Sequence, residues 1–317
     1  MDGIILINKE KEYTSHDVVA IVKKITKSKV GHTGTLDPNA TGVLPLLIGE
    51  ATKISKYLIK HDKEYEVLLQ LGKKTTTADE EGEIIEEKEV PEMIFNNTIT
   101  NSIELLNAVQ NNLETNSKYN FLDTILKEFI CKQQQIPPIY SAIKVNGKKL
   151  YDYARQGKQV EIEPRNIEIY NINLMSINQE LKQIQFKVKC SKGTYIRSLC
   201  EDIATKLGTV GYMKDLKRTQ VGDFYIKDAI TINEFKEKFE KNDLSNIITI
   251  EQIFKEKETI NLPQKYLKQY INGVNLDITK INEKRDYKND VYKIYVENKF
   301  IGLGTIENNI LKRDLVV

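Results

Sequence analysis

Apolar and polar positions alternate along the chain in ways that predict most of its elements. Ile4 to Ile7 is a short apolar run of the length a buried strand needs. Val18, Ile21, Val22 and Ile25 recur at i, i+3, i+4 and i+7, the stripe of a helix that Thr14-Ser15 caps. A loop rich in Gly and Thr, from Gly31 to Gly42, leads to an apolar strand at Val43 to Ile48 and a short helix around Ile54 to Leu58. Tyr65, Val67, Leu69 and Leu71 alternate strictly and end at Gly72, which predicts a half-buried strand.

Beyond an acidic stretch, a helix is expected near Ile103 to Leu113, followed by an Asn-rich exposed insertion through Tyr119, with order returning at Phe121. Strands are expected at Ser141 to Val145, Ile167 to Leu174 and Ile184 to Cys190. Ile196, Leu199, Cys200, Ile203 and Leu207 then form one helical stripe that stops at Gly208. Arg197 lies in the first turn of that helix, where the dipole favours anions, so a carboxylate or phosphate partner is expected for it. Short strands at Val291 to Val296 and Phe300 to Ile306 follow a lysine-rich region, which places a domain boundary near residue 250. Many strands with few long helices predict an α+β fold dominated by mixed or antiparallel sheet.

A chain of 317 residues suits one large domain and a small one. No apolar stretch approaches the roughly 20 residues of a membrane span, and Met1 to Lys11 does not read as a signal peptide, so a cytoplasmic protein is expected. Cys131, Cys190 and Cys200 suit neither a disulfide framework nor a metal site, and no metal is expected; Cys190 and Cys200 read as small buried hydrophobes. The balance of 47 basic against 45 acidic side chains does not announce a nucleic-acid partner, but its distribution is uneven. Lys182 to Gly222 holds nine basic and three acidic residues, whereas Asp79 to Glu92 holds eight acidic residues and one lysine.

The most informative segment is Val30-Gly31-His32-Thr33-Gly34-Thr35-Leu36-Asp37-Pro38-Asn39-Ala40-Thr41-Gly42-Val43-Leu44-Pro45. Its glycines permit tight turns and close approach of a ligand, and Pro38 restricts Asp37 to extended geometry, which suits a nucleophile held at a loop tip. Read alone, it is better taken as an ordinary Asp-Pro turn. A phosphate loop is excluded, because Gly42 is followed by Val43 and Leu44 rather than Lys and Ser or Thr.

This segment resembles the signature loop GHTGxLDPxATGxLP of the TruB family of tRNA pseudouridine synthases. Lys63-Glu64-Tyr65 running to Gly72, with Thr75, Thr77, Asp79 and Gly82 after it, resembles that family's tyrosine strand and following GxxTxTxDxxG. Pro137-Pro138-Ile139-Tyr140-Ser141-Ala142-Ile143-Lys144, continuing through Gly147-Lys148-Lys149 to Arg155-Gln156-Gly157, resembles its RNA-gripping thumb, about residues 131–157. Cys190 to Arg197 and Leu216-Lys217-Arg218-Thr219 complete the match over most of residues 1–230. Phe300 to Ile306 with Lys312 to Val317 is similar to a small PUA-like RNA-binding domain. The resemblance therefore implies a pseudouridine synthase catalytic domain at 1–249 and a β-rich PUA-like domain at 250–317.

It further implies that Asp37 is the nucleophile, that Tyr65 stacks on the target base and accepts a proton, and that Arg197 pairs with the Asp37 carboxylate. His32 would contact the displaced nucleotide, Tyr195 and Leu216 would line the uracil pocket, and Lys9 would support the loop. Lys148, Lys149, Arg155, Lys217 and Arg218 are candidates for phosphate contact. The implied reaction isomerises a uridine in the T arm of tRNA, position 55, with no cofactor, no guide RNA, no obligatory protein partner and no membrane, by a monomer. The target base would be flipped out of its stack. Attack at C1′, attack on the pyrimidine ring and an elimination in which Tyr65 takes a 2′ proton all stay open. A tRNA-folding chaperone with secondary catalysis is the alternative reading. Two departures stand out: the family's Lys-Pro-x-Gly is here Lys9-Glu10-Lys11-Glu12, and the Asn111 to Tyr119 insertion lies beside the thumb.

Overall fold

A computed structural model describes residues 1–95, 120–141, 143–158, 160–281 and 287–317. The expected helix near Ile103 to Leu113 and the insertion at Asn111 to Tyr119 lie outside the described residues. Two compact units divide the chain, one of residues 1–38, 43–60 and 226–317, the other of residues 39–42 and 61–225.

The first unit opens with strand β1 (Gly3–Lys9) and helix α1 (Ser15–Thr26). Thr14 caps α1 in a full capping box with Asp17, two reciprocal side-chain to backbone bonds that fix the helix start. Strand β2 (Val30–His32) pairs antiparallel with β3 (Thr41–Ile48), and β1 lies on the other side of β3. A 3-10 turn, Gly49–Ile54, runs into the short helix α2 (Ser55–Leu58), close to the expected helix.

The second unit is built on one antiparallel sheet. Its strands are β4 (Lys63–Leu71), the edge strand β7 (Lys132–Gln135), β10 (Arg165–Asn178), β11 (Gln183–Cys190) and β12 (Gly211–Val221), in the order β12-β4-β11-β10-β7. Alternate residues Tyr65, Val67 and Leu69 of β4 are buried with Val188, Phe186 and Ile184 of β11 opposite them, so the period-2 pattern reads directly as one core face. Smaller elements sit between these strands: the hairpin β5 (Lys73–Thr75) and β6 (Ile84–Glu87), helix α3 (Asn120–Lys127), and a thumb of β8 (Lys144–Val145), β9 (Lys148–Lys149) and helix α4 (Leu150–Arg155). The thumb strand β8 covers only the last two residues of the expected Ser141 to Val145, and Asn146 and Gly147, both at positive φ, turn the chain straight back into β9. Helix α5 (Ile196–Lys206) precedes β12 and buries Cys200, while β13 (Phe224–Tyr225) pairs with the end of β12. Cys190 is likewise fully buried in β11.

Returning to the first unit, the chain forms α6 (Ile232–Glu240) and α7 (Ile250–Ile253), and single bridges tie Ile230 and Ile248 to β1. A five-stranded sheet then assembles in the order β14-β16-β17-β18-β15 from β14 (Thr259–Asn261), β15 (Leu276–Asp277), β16 (Val291–Val296), β17 (Lys299–Glu307) and β18 (Ile310–Val316). Helix α8 (Gln264–Ile271) packs on it, and Ile260, Tyr270, Tyr292, Ile294 and Leu311 form its core. This β-rich part has a core of its own, yet it belongs to the same compact unit as residues 1–38 and 43–60. An α+β chain with a β-rich C-terminal part is what the pattern predicts.

Candidate functional site

In the first unit, the loop carrying Asp37 is bolted on both sides of the carboxylate. Ser15, at the start of α1 and fully buried, accepts the Leu36 N–H at 2.8 Å and donates its hydroxyl to the Leu36 carbonyl at 3.1 Å. On the other side, the Pro38 carbonyl accepts from Lys9 Nζ at 2.9 Å and from the Glu12 N–H at 3.1 Å. Asp37 itself is half-buried. The stiffness inferred from Pro38 thus has a second cause, two polar braces that leave the residue between them little freedom.

Lys9 is 0% exposed, contrary to the solvated reading its sequence neighbourhood gives when taken alone. Its ammonium donates to three carbonyls, those of Glu10 at 3.0 Å, Tyr13 at 2.6 Å and Pro38 at 2.9 Å. A buried cation is tolerated only when so solvated by the protein. Glu12 stands where the family has glycine, and its φ of 70° is the left-handed conformation that glycine adopts freely. The turn thus holds a left-handed residue without the glycine that favours one. His32 packs edge-on against His16, with ring centroids 5.7 Å apart, and its Nδ1 accepts the Gly34 N–H at 3.3 Å.

In the second unit, Tyr65 is 8% exposed on β4 and Arg218 is opposite it on β12. Arg218 is 1% exposed, and burial pushes its guanidinium down from the usual range while the charge of the Tyr65 phenol and the hydrogen bond to it push back. This corrects the expectation of a phosphate contact: Lys217 and Arg218 are consecutive strand residues, so they face opposite sides of the sheet, and only Lys217 looks out. Lys217 Nζ lies 4.0 Å from Glu66. Leu216, 7% exposed, is paired with Val67.

Arg197 is 6% exposed in the first turn of α5. Its Nη2 donates to the Tyr140 carbonyl at 2.9 Å, its Nη1 to the Thr77 carbonyl at 3.3 Å, and Nη1 lies 3.4 Å from the Asp79 carboxylate. By charge alone, the acidic run that begins at Asp79 suggests a solvated face. Asp79 turns inward instead, held by the Thr77 hydroxyl and the Glu81 N–H at its own turn. Its place in the GxxTxTxDxxG pattern is the signal that singles it out. Tyr195 is half-buried at the N-cap of α5, and its backbone N–H and carbonyl are both bonded by the side chain of Gln135, a residue that no sequence pattern picks out. In the thumb, Lys148 and Arg155 are exposed. Lys149 donates to the Tyr151 hydroxyl at 2.9 Å, and Lys149 and Arg155 lie 5.1 and 5.5 Å from the centre of that ring. Four of the five expected phosphate contacts thus stay available.

Among the described residues, no three His, Cys, Asp or Glu side chains are grouped to hold a metal ion. None of the described helices is long and apolar enough to cross a membrane. The Tyr65 phenol beside a buried guanidinium, and a carboxylate on a braced loop, are groups suited to proton transfer and nucleophilic attack.

The sequence and fold are similar to those of known proteins. Residues 22–111 and 94–196 match the model of the TruB family pseudouridylate synthase N-terminal domain, and residues 197–275 match that of the tRNA pseudouridylate synthase B C-terminal domain. The protein named tRNA pseudouridine synthase B of Clostridium tetani is 40% identical over 305 residues, 96% of this chain and 95% of that protein. Its namesake in Francisella philomiragia is 36% identical over 314 residues, covering 98% and 93%. Among solved structures, a chain in "Structure of H/ACA RNP bound to a substrate RNA containing 2'-deoxyuridine" aligns with a TM-score of 0.63 at 23% identity, covering 96% of this chain and 77% of that one. At that identity the likeness speaks for the fold.

Proposed function

The chain belongs to the TruB family of pseudouridylate synthases, and from that membership we propose that it isomerises uridine 55 in the T arm of tRNA, acting alone and without guide RNA. Relatives about 40% identical over nearly the whole chain carry the name tRNA pseudouridine synthase B, which supports tRNA as the substrate. The observation that carries the mechanism is the double brace around Asp37, by Ser15 at Leu36 and by Lys9 at Pro38.

The reaction breaks the bond from ribose C1′ to uracil N1 and forms one from C1′ to C5, with a proton leaving C5 and one arriving at N1. Atoms balance without redox chemistry or added energy. Asp37 supplies the nucleophile, and a braced backbone holds its oxygen in a near-attack position rather than leaving it to search. Arg197 is the guanidinium that the family resemblance assigns to keeping that carboxylate ionised. A guanidinium donating to a phenolic oxygen stabilises negative charge there, which suits Tyr65 to take a proton while its ring stacks on the flipped base. Tyr195 and Leu216 complete the pocket wall, His32 contacts the displaced nucleotide, and Lys148, Lys149, Arg155 and Lys217 hold phosphates.

The test is conversion of an unmodified tRNA transcript by the purified protein, read by pseudouridine mapping. Wild type is expected to modify one T-arm uridine without added RNA, and Asp37→Ala to lose all detectable activity while still binding tRNA. Full activity in Asp37→Ala, or a need for added guide RNA, would sink the proposal.

A further inference from the structure

Helix α5 starts without the usual side-chain cap. Tyr195 sits at its N-cap with extended backbone, φ −97° and ψ 113°, and its side chain makes no capping bond. Arg197 puts a cation in the first turn, which the helix dipole disfavours. Something else must hold this turn, because two of the side chains assigned to the reaction hang from it.

That role falls to Gln135, the last residue of edge strand β7. Its Nε2 donates to the Tyr195 carbonyl at 3.0 Å, and its Oε1 accepts the Tyr195 N–H at 2.8 Å. The two ends of one amide thus match the two backbone groups of one residue, as a neighbouring strand would. Gln135 is 5% exposed, so the pair is shielded from competing water. Adjacent bonds fasten the same two segments: Ser198 donates to the Ile136 carbonyl at 3.0 Å, and Arg197 to the Tyr140 carbonyl at 2.9 Å.

We propose that Gln135 is a positioning residue for the reaction, fixing the Tyr195 ring and the Arg197 guanidinium through the backbone of the turn that carries both. The proposal rests on the roles given to Tyr195 and Arg197 above. Losing the amide leaves the N–H and carbonyl of Tyr195 without this partner and lets the turn shift, which acts on the chemical step rather than on RNA capture. Tyr195 is 60 residues away in sequence, so no local pattern reveals the link.

The test uses full-length Gln135→Leu and Gln135→Glu, with Gln133→Leu as control. Gln133 lies on the same strand and donates from its amide to the Phe129 carbonyl at 3.3 Å, a bond to a different segment from α5. Single-turnover rate and tRNA Kd are measured separately, and amide exchange is followed across residues 195–199. Gln135→Leu is expected to slow the rate about 10- to 100-fold with Kd changed less than about twofold, and to expose the Tyr195 amide to exchange. Gln135→Glu keeps the acceptor for the Tyr195 N–H but loses the donor to its carbonyl, so it recovers part of both effects. Gln133→Leu is expected to match wild type. A Gln135→Leu rate within about twofold of wild type, or equal slowing by Gln133→Leu, overturns the proposal. Should Gln135→Leu not fold, a wild-type rate in Gln135→Glu does the same. If wild type converts no tRNA at all, the enzymatic reading fails, and the exchange measurement still decides: unchanged protection at Tyr195 removes Gln135 from this role.

Discussion

Lys9 and Glu12 show how single residues carry the reactive loop. The Lys9 ammonium satisfies three carbonyls in a site closed to solvent, so Lys9→Met deletes the donor and leaves those acceptors without it. A loss of about 2–4 kcal/mol is expected, measured by urea unfolding, together with a fall in kcat because the Pro38 carbonyl adjoins Asp37. An unfolding midpoint equal to wild type would mean the brace contributes nothing. Glu12 presents the opposite case. Its side chain is exposed and its φ of 70° strains any residue with a Cβ, at about 1–2 kcal/mol. Glycine relieves that strain but gives the unfolded chain more freedom, which takes back about 0.4–1 kcal/mol. Glu12→Gly is therefore expected to raise stability by about 0.5–1 kcal/mol, and a lower midpoint would show that the Glu12 side chain contributes something the backbone does not explain.

At the scale of elements, the first two residues of β3 meet β12 in parallel, with Arg218 opposite Gly42. A Cβ at Gly42, where φ is +110°, would lie 2.2 Å from the Arg218 carbonyl oxygen. Gly42→Ala must push these strands apart and is expected to cost more than about 3 kcal/mol or to prevent folding. Gly157→Ala is the control, since φ there is +63° with nothing within 4 Å, and the strain less the reduced freedom of the unfolded chain should cost only about 0.5–1 kcal/mol. Equal losses would show that backbone strain, not the close approach of β12, is what Gly42 relieves. The elements themselves were legible because their signals are local: the 3.6-residue stripe of α1, its Thr14 cap, and the strict alternation of β4 and β11. What stayed hidden depends on partners distant in sequence. Lys9 meets Pro38 across 29 residues and Arg197 meets Thr77 across 120, and nothing in either neighbourhood announces the other. Arg218 was partly legible. Consecutive strand residues face opposite ways, so the pair Lys217-Arg218 could offer only one cation to solvent, and the apolar register of β12 with Tyr65 and Val67 says which.

Across the whole molecule, 47 basic and 45 acidic residues nearly cancel, so affinity for a polyanion has to come from where the cations stand. Each phosphate neutralised by a side chain releases counterions, and the slope of log K against log salt becomes shallower by about 0.7–0.9 for every phosphate-binding cation deleted. Lys148 and Arg155 are exposed on the thumb, so Lys148→Ala and Arg155→Ala should each flatten the slope for tRNA by about that amount. Lys217 sits 4.0 Å from Glu66, which already offsets part of its charge, and Lys217→Ala should flatten it less. Arg218 is the discriminating case. Its guanidinium is enclosed and bonded to Tyr65, so Arg218→Met should leave the salt slope unchanged while lowering stability and the rate of the chemical step. Binding titrations over a range of potassium chloride concentrations separate the two behaviours. A flattening by Arg218→Met equal to that of Lys148→Ala would mean that the β12 arginine reaches the RNA after all, and that the pairing with Tyr65 is broken when tRNA binds.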